Sequence, residues 1–428
     1  MHNEESFLTL AVILFVITFA GMMVFTKYRS YIALGSALIF IILGIIPLGN
    51  VFAAVEWNVI LMIGGTMGTV FFFIESKMPA LIADVLLEKT PNVKWAIVIL
   101  AFFSGIISAF MDNVATVLML APVALAIAKR LNINPIPMLI SISVASNLQG
   151  AATLVGDTTS ILLGGYAGMD FMDFFWFKGK LGMFFVVEIG AVIATLVLVW
   201  IFRKEKDPIT PSPRTKVTDL FHTWMLLLTV ALLIGASFIP NKPELTNGVI
   251  CTGIFVVCII RELLFKKNFS GVWQSIKEID YQTLLLLIGL FIIIGGITEA
   301  GVIDKFSEII VSLCGNNLFL TYTIIVWFSV VFSAFIDNIP YVATMLPVVT
   351  SMSALMGIEP YILYFGLLTG ATLGGNLTPI GASANITAMG ILEKEGHTVK
   401  PSQFMKIGFP FTMAAVITGY LLVWLIWA

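Results

Sequence analysis

Apolar runs alternate with short polar joints along the whole chain, and most of the runs have about the 20 residues needed to cross a bilayer. They fall at about 6–25, 31–48, 58–76, 136–166 and 181–202, then again at about 222–239, 247–264, 282–300, 360–392 and 405–427. Such a run with a polar edge at each end predicts a membrane-spanning helix. Segments 95–128 and 318–356 are also apolar, but each is interrupted by an Asp-Asn pair. They predict re-entrant hairpins that enter and leave on one side. Segments 136–166 and 360–392 are too long and too rich in Gly and Thr for plain helices, and predict spans broken at mid-membrane.

The two interruptions are copies of one phrase. Ser108-Ala109-Phe110-Met111-Asp112-Asn113 returns 225 residues later as Ser333-Ala334-Phe335-Ile336-Asp337-Asn338. The same offset pairs Pro122 with Pro347, Pro135 with Pro360, Gly150 with Gly375, Thr153 with Thr378, Gly156 with Gly381 and Gly165 with Gly390. Upstream an offset of 224 pairs Trp57 with Tyr281 and Glu75 with Glu299. Self-similarity of apolar sequence explains matched Leu and Val, not matched Asp, Pro and Gly. The chain therefore reads as an all-α polytopic membrane protein with two repeats, 1–202 and 221–428, joined by a polar linker, 203–220. Each repeat has five spans and one hairpin, and an odd number of spans inverts the second copy relative to the first.

Composition agrees with this architecture. Of 428 residues 59% are hydrophobic and 11% charged, with mean hydropathy +1.02, against about 25% charge in an average soluble chain. A net charge of −2 gives no reason to expect a nucleic acid partner. Cys251, Cys258 and Cys314 lack ligand-like spacing and read as packing residues. The run at 6–25 is long enough to span, and its leading flank has no Lys or Arg, unlike a removable leader.

Charge then orients the chain. Folded as stated, nineteen of the 23 Lys and Arg residues lie on one side and four on the other. Cytoplasmic loops carry the basic excess. The linker is thus cytoplasmic, both termini are extracytoplasmic, and the expected location is the plasma membrane. Counting 95–128 as two full spans would destroy the asymmetry.

Carboxylates in hydrocarbon mark function by default. Asp112 and Asp337 precede helical runs, where Asp and Asn cap free backbone N–H groups. Capping alone is the plainer reading, yet tips of broken helices are also where transporters place binding groups. The candidate solute and ion site comprises Asp112, Asn113 and Thr116 at one tip and Asp337 and Asn338 at the other. From the first Gly/Thr stretch it takes Asn147, Gly150, Thr153, Gly156, Asp157 and Thr158. From the second it takes Gly375, Asn376, Thr378, Gly381, Ser383 and Asn385. Helix packing through small residues accounts for glycines but not for Asp157 or the asparagines. Glu75 and Glu299 end their spans and read as structural, and Glu188, with no counterpart in the repeat, is set aside. No Lys or Arg is expected in this core, so protons, sodium or a cationic solute must neutralise the carboxylates. Sodium would sit at Asp112, Asn113, Asp337 and Asn338. No nucleotide-binding phrase appears, no cofactor is expected, and an intramembrane aspartyl protease would leave the Gly/Thr stretches unexplained. The chain is not expected to be an enzyme.

At these residues the chain resembles the ion transporter superfamily of arsenite permeases, P-protein-like carriers, silicon efflux carriers, sodium/proton antiporters and citrate or dicarboxylate carriers. The likeness lies in Phe110–Thr116 with Ala121-Pro122, in 150–160, and above all in Gly374-Gly375-Asn376-Leu377-Thr378-Pro379-Ile380-Gly381-Ala382-Ser383-Ala384-Asn385. It implies a scaffold with a mobile transport domain that moves like an elevator, often as a homodimer. Dicarboxylate carriers usually have Ser-Asn-Thr at the hairpin tips. Here Asp112-Asn113-Val114 and Asp337-Asn338-Ile339 stand instead, which argues against dicarboxylate uptake. Gly156-Asp157-Thr158-Thr159-Ser160 stands where many relatives have Gly-Asp-Pro-Pro-Asn, and sodium/proton antiporters have a similar Thr-rich form. The expected task is ion-coupled movement of a small oxyanion or its neutral acid, such as arsenite or silicic acid. Sodium/proton antiport is the alternative, and citrate or dicarboxylate transport ranks below both.

Overall fold

A computed structural model describes residues 2–209, 214–217 and 219–428. The described residues are almost wholly helical, in this order: α1 His2–Val24, α2 Arg29–Ile42, α3 Leu48–Ala54, α4 Trp57–Glu75, α5 Met78–Leu87, α6 Val93–Ser108, α7 Asn113–Leu131, α8 Ile136–Gly150, α9 Thr158–Ala167, α10 Met183–Ile201, α11 Phe221–Ser237, α12 Thr246–Leu264, α13 Phe269–Lys277, α14 Tyr281–Glu299, α15 Val302–Cys314, α16 Leu318–Ser333, α17 Asn338–Met356, α18 Tyr361–Leu368, α19 Ser383–Lys394 and α20 Pro401–Trp427. A two-stranded ribbon, β1 Trp176–Phe177 and β2 Lys180–Leu181, joins α9 to α10.

Among the described residues eight helices are long and apolar enough to cross a membrane, or nine if the bent pair α15–α16 is one span. The expected span at 31–48 is shorter than the sequence suggested. α2 has 14 residues, about 21 Å at 1.5 Å per residue, because the chain turns at Gly44 (φ 70) and re-forms as α3. The short helices α3, α5, α13 and α15 lie in stretches read as joints. With 7, 10, 9 and 13 residues they are too short to register as spans.

The helices sort into two groups by packing. In one, α4 packs on α12 and α2 on α14, each through a glycine that admits backbone. A Cβ on Gly65 would lie 2.4 Å from the Thr252 nitrogen, and one on Gly289 would lie 2.7 Å from the Ala33 carbonyl carbon. In the other group α6 packs on α8, α7 on α8 and α19, and α10 on α20. Helices α5 and α15 stand between the groups, and both are entered through a left-handed residue, Lys77 (φ 60) and Gly301 (φ 73). Helices α7 and α17 likewise both end on one, Asn132 (φ 52) and Gly357 (φ 65). A left-handed residue at a helix C-terminus is an ordinary stop signal. Lys77 and Gly301 pair at the upstream offset of 224, and Asn132 and Gly357 at the offset of 225 that holds for the Pro and Gly matches.

The linker is docked where it is described. Val93 N–H donates to the Asp207 carbonyl at 2.9 Å, Arg214 pairs with Glu88, and Thr215 N–H donates to Asp84 at 2.8 Å. Lys178 pairs with Glu359 on the other side. Each of these contacts joins loops that the charge count assigns to one face. Cys251, Cys258 and Cys314 are free and buried.

Candidate functional site

Two helix tips and two helix breaks build the site. Asp112 ends the turn between α6 and α7 with φ −50 and ψ 138, and accepts the Ala115 N–H at 3.0 Å. Asp337 has φ −53 and ψ 132 and accepts the Ile339 N–H at 3.1 Å. Both are helix caps whose other carboxylate oxygen is left for something else.

The breaks wrap around the tips. The first, 151–157, separates α8 from α9. The second starts as a π-helical turn at Thr369–Leu373, tightens to a 3-10 turn at Gly375–Leu377, and ends where α19 begins at Ser383. Thr153 Oγ1 donates to the Ala109 carbonyl and Thr378 Oγ1 to the Ala334 carbonyl. A Cβ on Gly156 would lie 2.5 Å from the Gly150 oxygen and 2.6 Å from the Ser108 oxygen. A Cβ on Gly381 would lie 2.4 Å from the Gly375 oxygen and 2.6 Å from the Ser333 oxygen. Only glycine lets carbonyl-lined backbone close this tightly.

The two breaks also hold each other. Asn147 Nδ2 donates to the Thr372 carbonyl at 2.8 Å, and Asn147 Oδ1 accepts from Asn113 at 3.1 Å. Asn376 Nδ2 donates to the Val144 carbonyl at 2.8 Å, and Asn385 Nδ2 to Asn376 Oδ1 at 3.1 Å. The Thr159 hydroxyl lies 2.8 Å from that of Thr372 and donates to Asp157 at 2.9 Å.

A cavity of about 360 Å³ lies against this assembly. Of the expected site residues, Asp112, Asn113, Asp157, Thr158, Asn338 and Ser383 border it. Asp337 stands just behind, accepting from Ser383 Oγ at 3.4 Å. Asn147, Gly150, Thr153, Gly156, Gly375, Asn376, Thr378, Gly381 and Asn385 do not border it and make the framework just described; Thr116 does not border it either, and its hydroxyl donates to the Asp112 carbonyl at 3.0 Å. The N-termini of α7, α9, α17 and α19 meet here, and those of α9 and α19 carry no side-chain cap. Helix N-termini favour negative charge or polar acceptors.

One expectation is overturned. The core does contain a cation: Arg29, the first residue of α2, pairs with Asp337. Charge counting put Arg29 in a loop, but a guanidinium reaches several ångströms from its backbone. Sequence reasoning also missed Asp280 and Thr283, which border the cavity. Asp280 caps α14, accepting the Thr283 N–H at 3.0 Å and its hydroxyl at 2.6 Å. The available signal was a carboxylate ahead of each matched aromatic, Glu56-Trp57 and Asp280-Tyr281. Glu75 borders the cavity as well, with Gln274 and Glu278. The lining holds no Lys, Arg or His.

A second chamber, about 420 Å³, is bordered by Asn50, Glu56, Tyr166, Thr298 and Glu299 and stops at Leu162, Ala343, Leu346 and Pro347. It touches none of the three aspartates. Its walls match those of the first at the repeat offsets: Val70 with Ile294, Glu75 with Glu299, Leu118 with Ala343, Gln274 with Asn50. Ser160 Oγ and Asn385 Oδ1, themselves 225 residues apart, are both buried without a hydrogen-bond partner among the described residues. Away from the cavity, Asp219, His222 and Glu262 offer ligand atoms within 4.8 Å of one another. Arg261 and Lys266 already pair with both carboxylates, so the cluster is an ion-pair network.

Many spans around a polar cavity built from broken helices define a membrane transporter. The chain belongs to the citrate transporter family CitMHS, whose model matches residues 12–370. An uncharacterized transporter of Mycobacterium tuberculosis is 31% identical over 93% of this chain and 94% of its own length. The 46 kDa membrane protein of Mycobacterium leprae is 30% identical over 97% and 98%. Human P protein is 25% identical over 77% of this chain and 49% of its own length. Among solved structures, the YdaH transporter of Alcanivorax borkumensis superposes with TM-score 0.60 at 14% identity, over 88% of this chain and 86% of that one. MtrF of Neisseria gonorrhoeae, described as one of a class of antimetabolite efflux pumps, superposes with TM-score 0.56 at 15% identity, over 86% and 80%.

Proposed function

We propose that the chain is an ion-coupled secondary transporter that exchanges protons for a small inorganic oxyanion or its neutral acid, such as arsenite or silicic acid. The observation that carries this is the pair of matched chambers. One reaches Asp112 and Asp157; its counterpart at the repeat offset stops short of every aspartate. A carrier that alternates needs one chamber connected to the site and one sealed. The two halves, 1–202 and 221–428, are then inverted copies, and α6–α10 with α16–α20 form the body that moves, elevator-fashion, against the other helices.

Cation coupling follows from charge. Asp112, Asp157 and Asp337 surround one site with, among the described residues, Arg29 alone paired to them, so a proton or sodium must supply the rest. The unpartnered oxygens of Ser160 and Asn385 are further acceptors for such an ion. The uncapped N-termini of α9 and α19 suit a polar hydroxy acid. A tricarboxylate, the solute in the family's name, would enter a lining that has four carboxylates (Glu75, Asp112, Asp157 and Asp280) besides Glu278 and no free cation. It would have to arrive with cations of its own.

Proteoliposomes loaded with a pH-sensitive dye test the reading. An arsenite or silicic acid gradient should move protons, with Asp112→Asn needing a higher proton or sodium concentration to do so. Proton movement driven by sodium alone would establish antiport instead, and a response only to citrate would overturn the assignment of solute.

A further inference from the structure

The first half contains a polar site that the second half lacks. Gln149, in the last turn of α8, donates through Nε2 to Glu188 Oε2 of α10 at 2.8 Å. The carboxamide reaches Glu188 because Gly105 of α6 makes room: a Cβ there would lie 1.3 Å from Gln149 Oε1. Gln149 is 1% exposed, and its Oε1 is buried with no hydrogen-bond partner among the described residues. At the repeat offset of 225 the three positions hold Val330, Gly374 and Met413. There the packing is reversed, and a Cβ on Gly374 would lie 2.7 Å from the Val330 backbone. The offset holds for α10 and α20 too, since Gly190 lies against Ala415. All three differences between the halves serve one contact.

Among the described residues no cation forms an ion pair with Glu188. The ionisable groups on elements packed against α10 are Lys94 on α6, Lys406 and Tyr420 on α20, and Lys180 on β2; α8 has none. Lys94 lies over Trp95, Lys180 over Trp427, and the Tyr420 hydroxyl pairs with Thr323. None of the four is ion-paired or hydrogen-bonded to Glu188.

We propose that Glu188 and Gln149 form a proton-binding site in which Glu188 is the acid and the Gln149 carboxamide closes a two-bond ring with it. Un-ionised Glu188 donates its O–H to Gln149 Oε1 and accepts Gln149 Nε2–H. An ionised carboxylate has no hydrogen to donate, and would leave a half-buried charge with one donor and the buried Gln149 Oε1 with none. Gln149 directly precedes Gly150, where α8 gives way to the first break. Release of the proton breaks the bond to Gln149 Oε1 and leaves the Nε2–H bond to the carboxylate as the one link between the two side chains at that point. The inference deepens the proton-exchange reading and rests on it.

Infrared difference spectroscopy of the full-length protein in lipid isolates this acid. The spectrum of wild type minus Glu188→Gln should show the carbonyl band of an un-ionised carboxyl at neutral pH, well above the pKa of about 4.3 of a free glutamate. The band should shift in Gln149→Met, where the ring cannot form. Wild type should take up arsenite faster with a pH gradient than without, and Glu188→Gln should lose that acceleration while still equilibrating arsenite. A wild-type spectrum without the band, or a band unmoved by Gln149→Met, overturns the proposal. If arsenite is not carried at all while the band is present and shifts, the solute assignment fails and the proton site stands.

Discussion

Asp112 and Asp337 close the same turn in nearly the same backbone, yet their charges are handled differently. Asp337 is paired with Arg29, which belongs to the other packing group of helices. Asp112 borders the open cavity, and no Lys or Arg forms an ion pair with it among the described residues. Two equivalent carboxylates thus divide two tasks. One is held by the protein's own cation, while the other faces the cavity, where the proposed function places a cation from outside. Among the described residues only one of the two tips meets a fixed positive charge when the cavity has this shape.

The framework should be the least forgiving part, and equally so in both halves. Gly156→Ala and Gly381→Ala would each drive a Cβ to within 2.6 Å of two carbonyl oxygens. Overpacking against backbone, which has no rotamer to relax into, should cost at least about 3 kcal/mol each. The expected outcome is loss of monodisperse protein after extraction for both. If one glycine tolerates alanine and the other does not, the breaks are not equivalent.

Arg29→Gln should come next, and should act on one half only. Removing one partner of a buried ion pair costs about 3–5 kcal/mol; with the two side chains 22% and 14% exposed, the lower end applies. Thermal unfolding should show a clear loss for Arg29→Gln, largely restored in Arg29→Gln with Asp337→Asn. Asp112→Asn should not rescue it. Equal rescue by both would erase the distinction between the tips.

The sequence made the tips and breaks legible because their residues are expensive in hydrocarbon. An Asp-Asn pair or a run of Gly and Thr has no place in a plain span, so the ends of α6, α8, α16 and the π-turn fall where those residues do. The family was legible for the same reason. Arg29 was not, because hydropathy locates a residue along the chain and says nothing of where a long side chain ends. The division of candidates into lining and framework was also hidden. Asn147 and Asn376 have the same chemistry as Asn113, and only three-dimensional packing shows that they face backbone carbonyls rather than the cavity. The short helices α5 and α15 escaped notice because an apolar segment of 10 or 13 residues is too short to span and looks like a joint.

Cation affinity separates the tips more gently. A hydrogen bond to a charged group contributes about 1.5–3 kcal/mol, about a ten- to hundredfold change in affinity. Asp112→Asn should therefore raise the proton or sodium concentration needed for half-maximal exchange by that factor. Asp337→Asn should change it less, because Arg29 already holds Asp337. Titration of exchange against external pH and sodium measures both, and the reverse order would assign the ion to the second tip.

The smallest effect lies outside the membrane and tests whether burial is what sets the Arg29 pair apart. Asp219 makes similar contacts at the aqueous edge, with Arg261 at 2.7 Å and with Lys266. Partial burial alone would raise its pKa, but the two cations outweigh it and hold the carboxyl well below its ordinary value. A lowered folded pKa means that the native state stays ionised where the unfolded chain takes up a proton, so the stabilisation is complete above the unfolded pKa. It is lost as pH falls toward the folded value. Asp219→Asn should therefore lower the melting temperature by a constant amount above about pH 5, and by less and less below about pH 4. Added salt should shrink the difference, since partly exposed pairs are screened. The Arg29→Gln effect should change little with salt. If both respond alike, the cavity pair is as wet as the surface one, and the contrast between the tips loses its electrostatic basis.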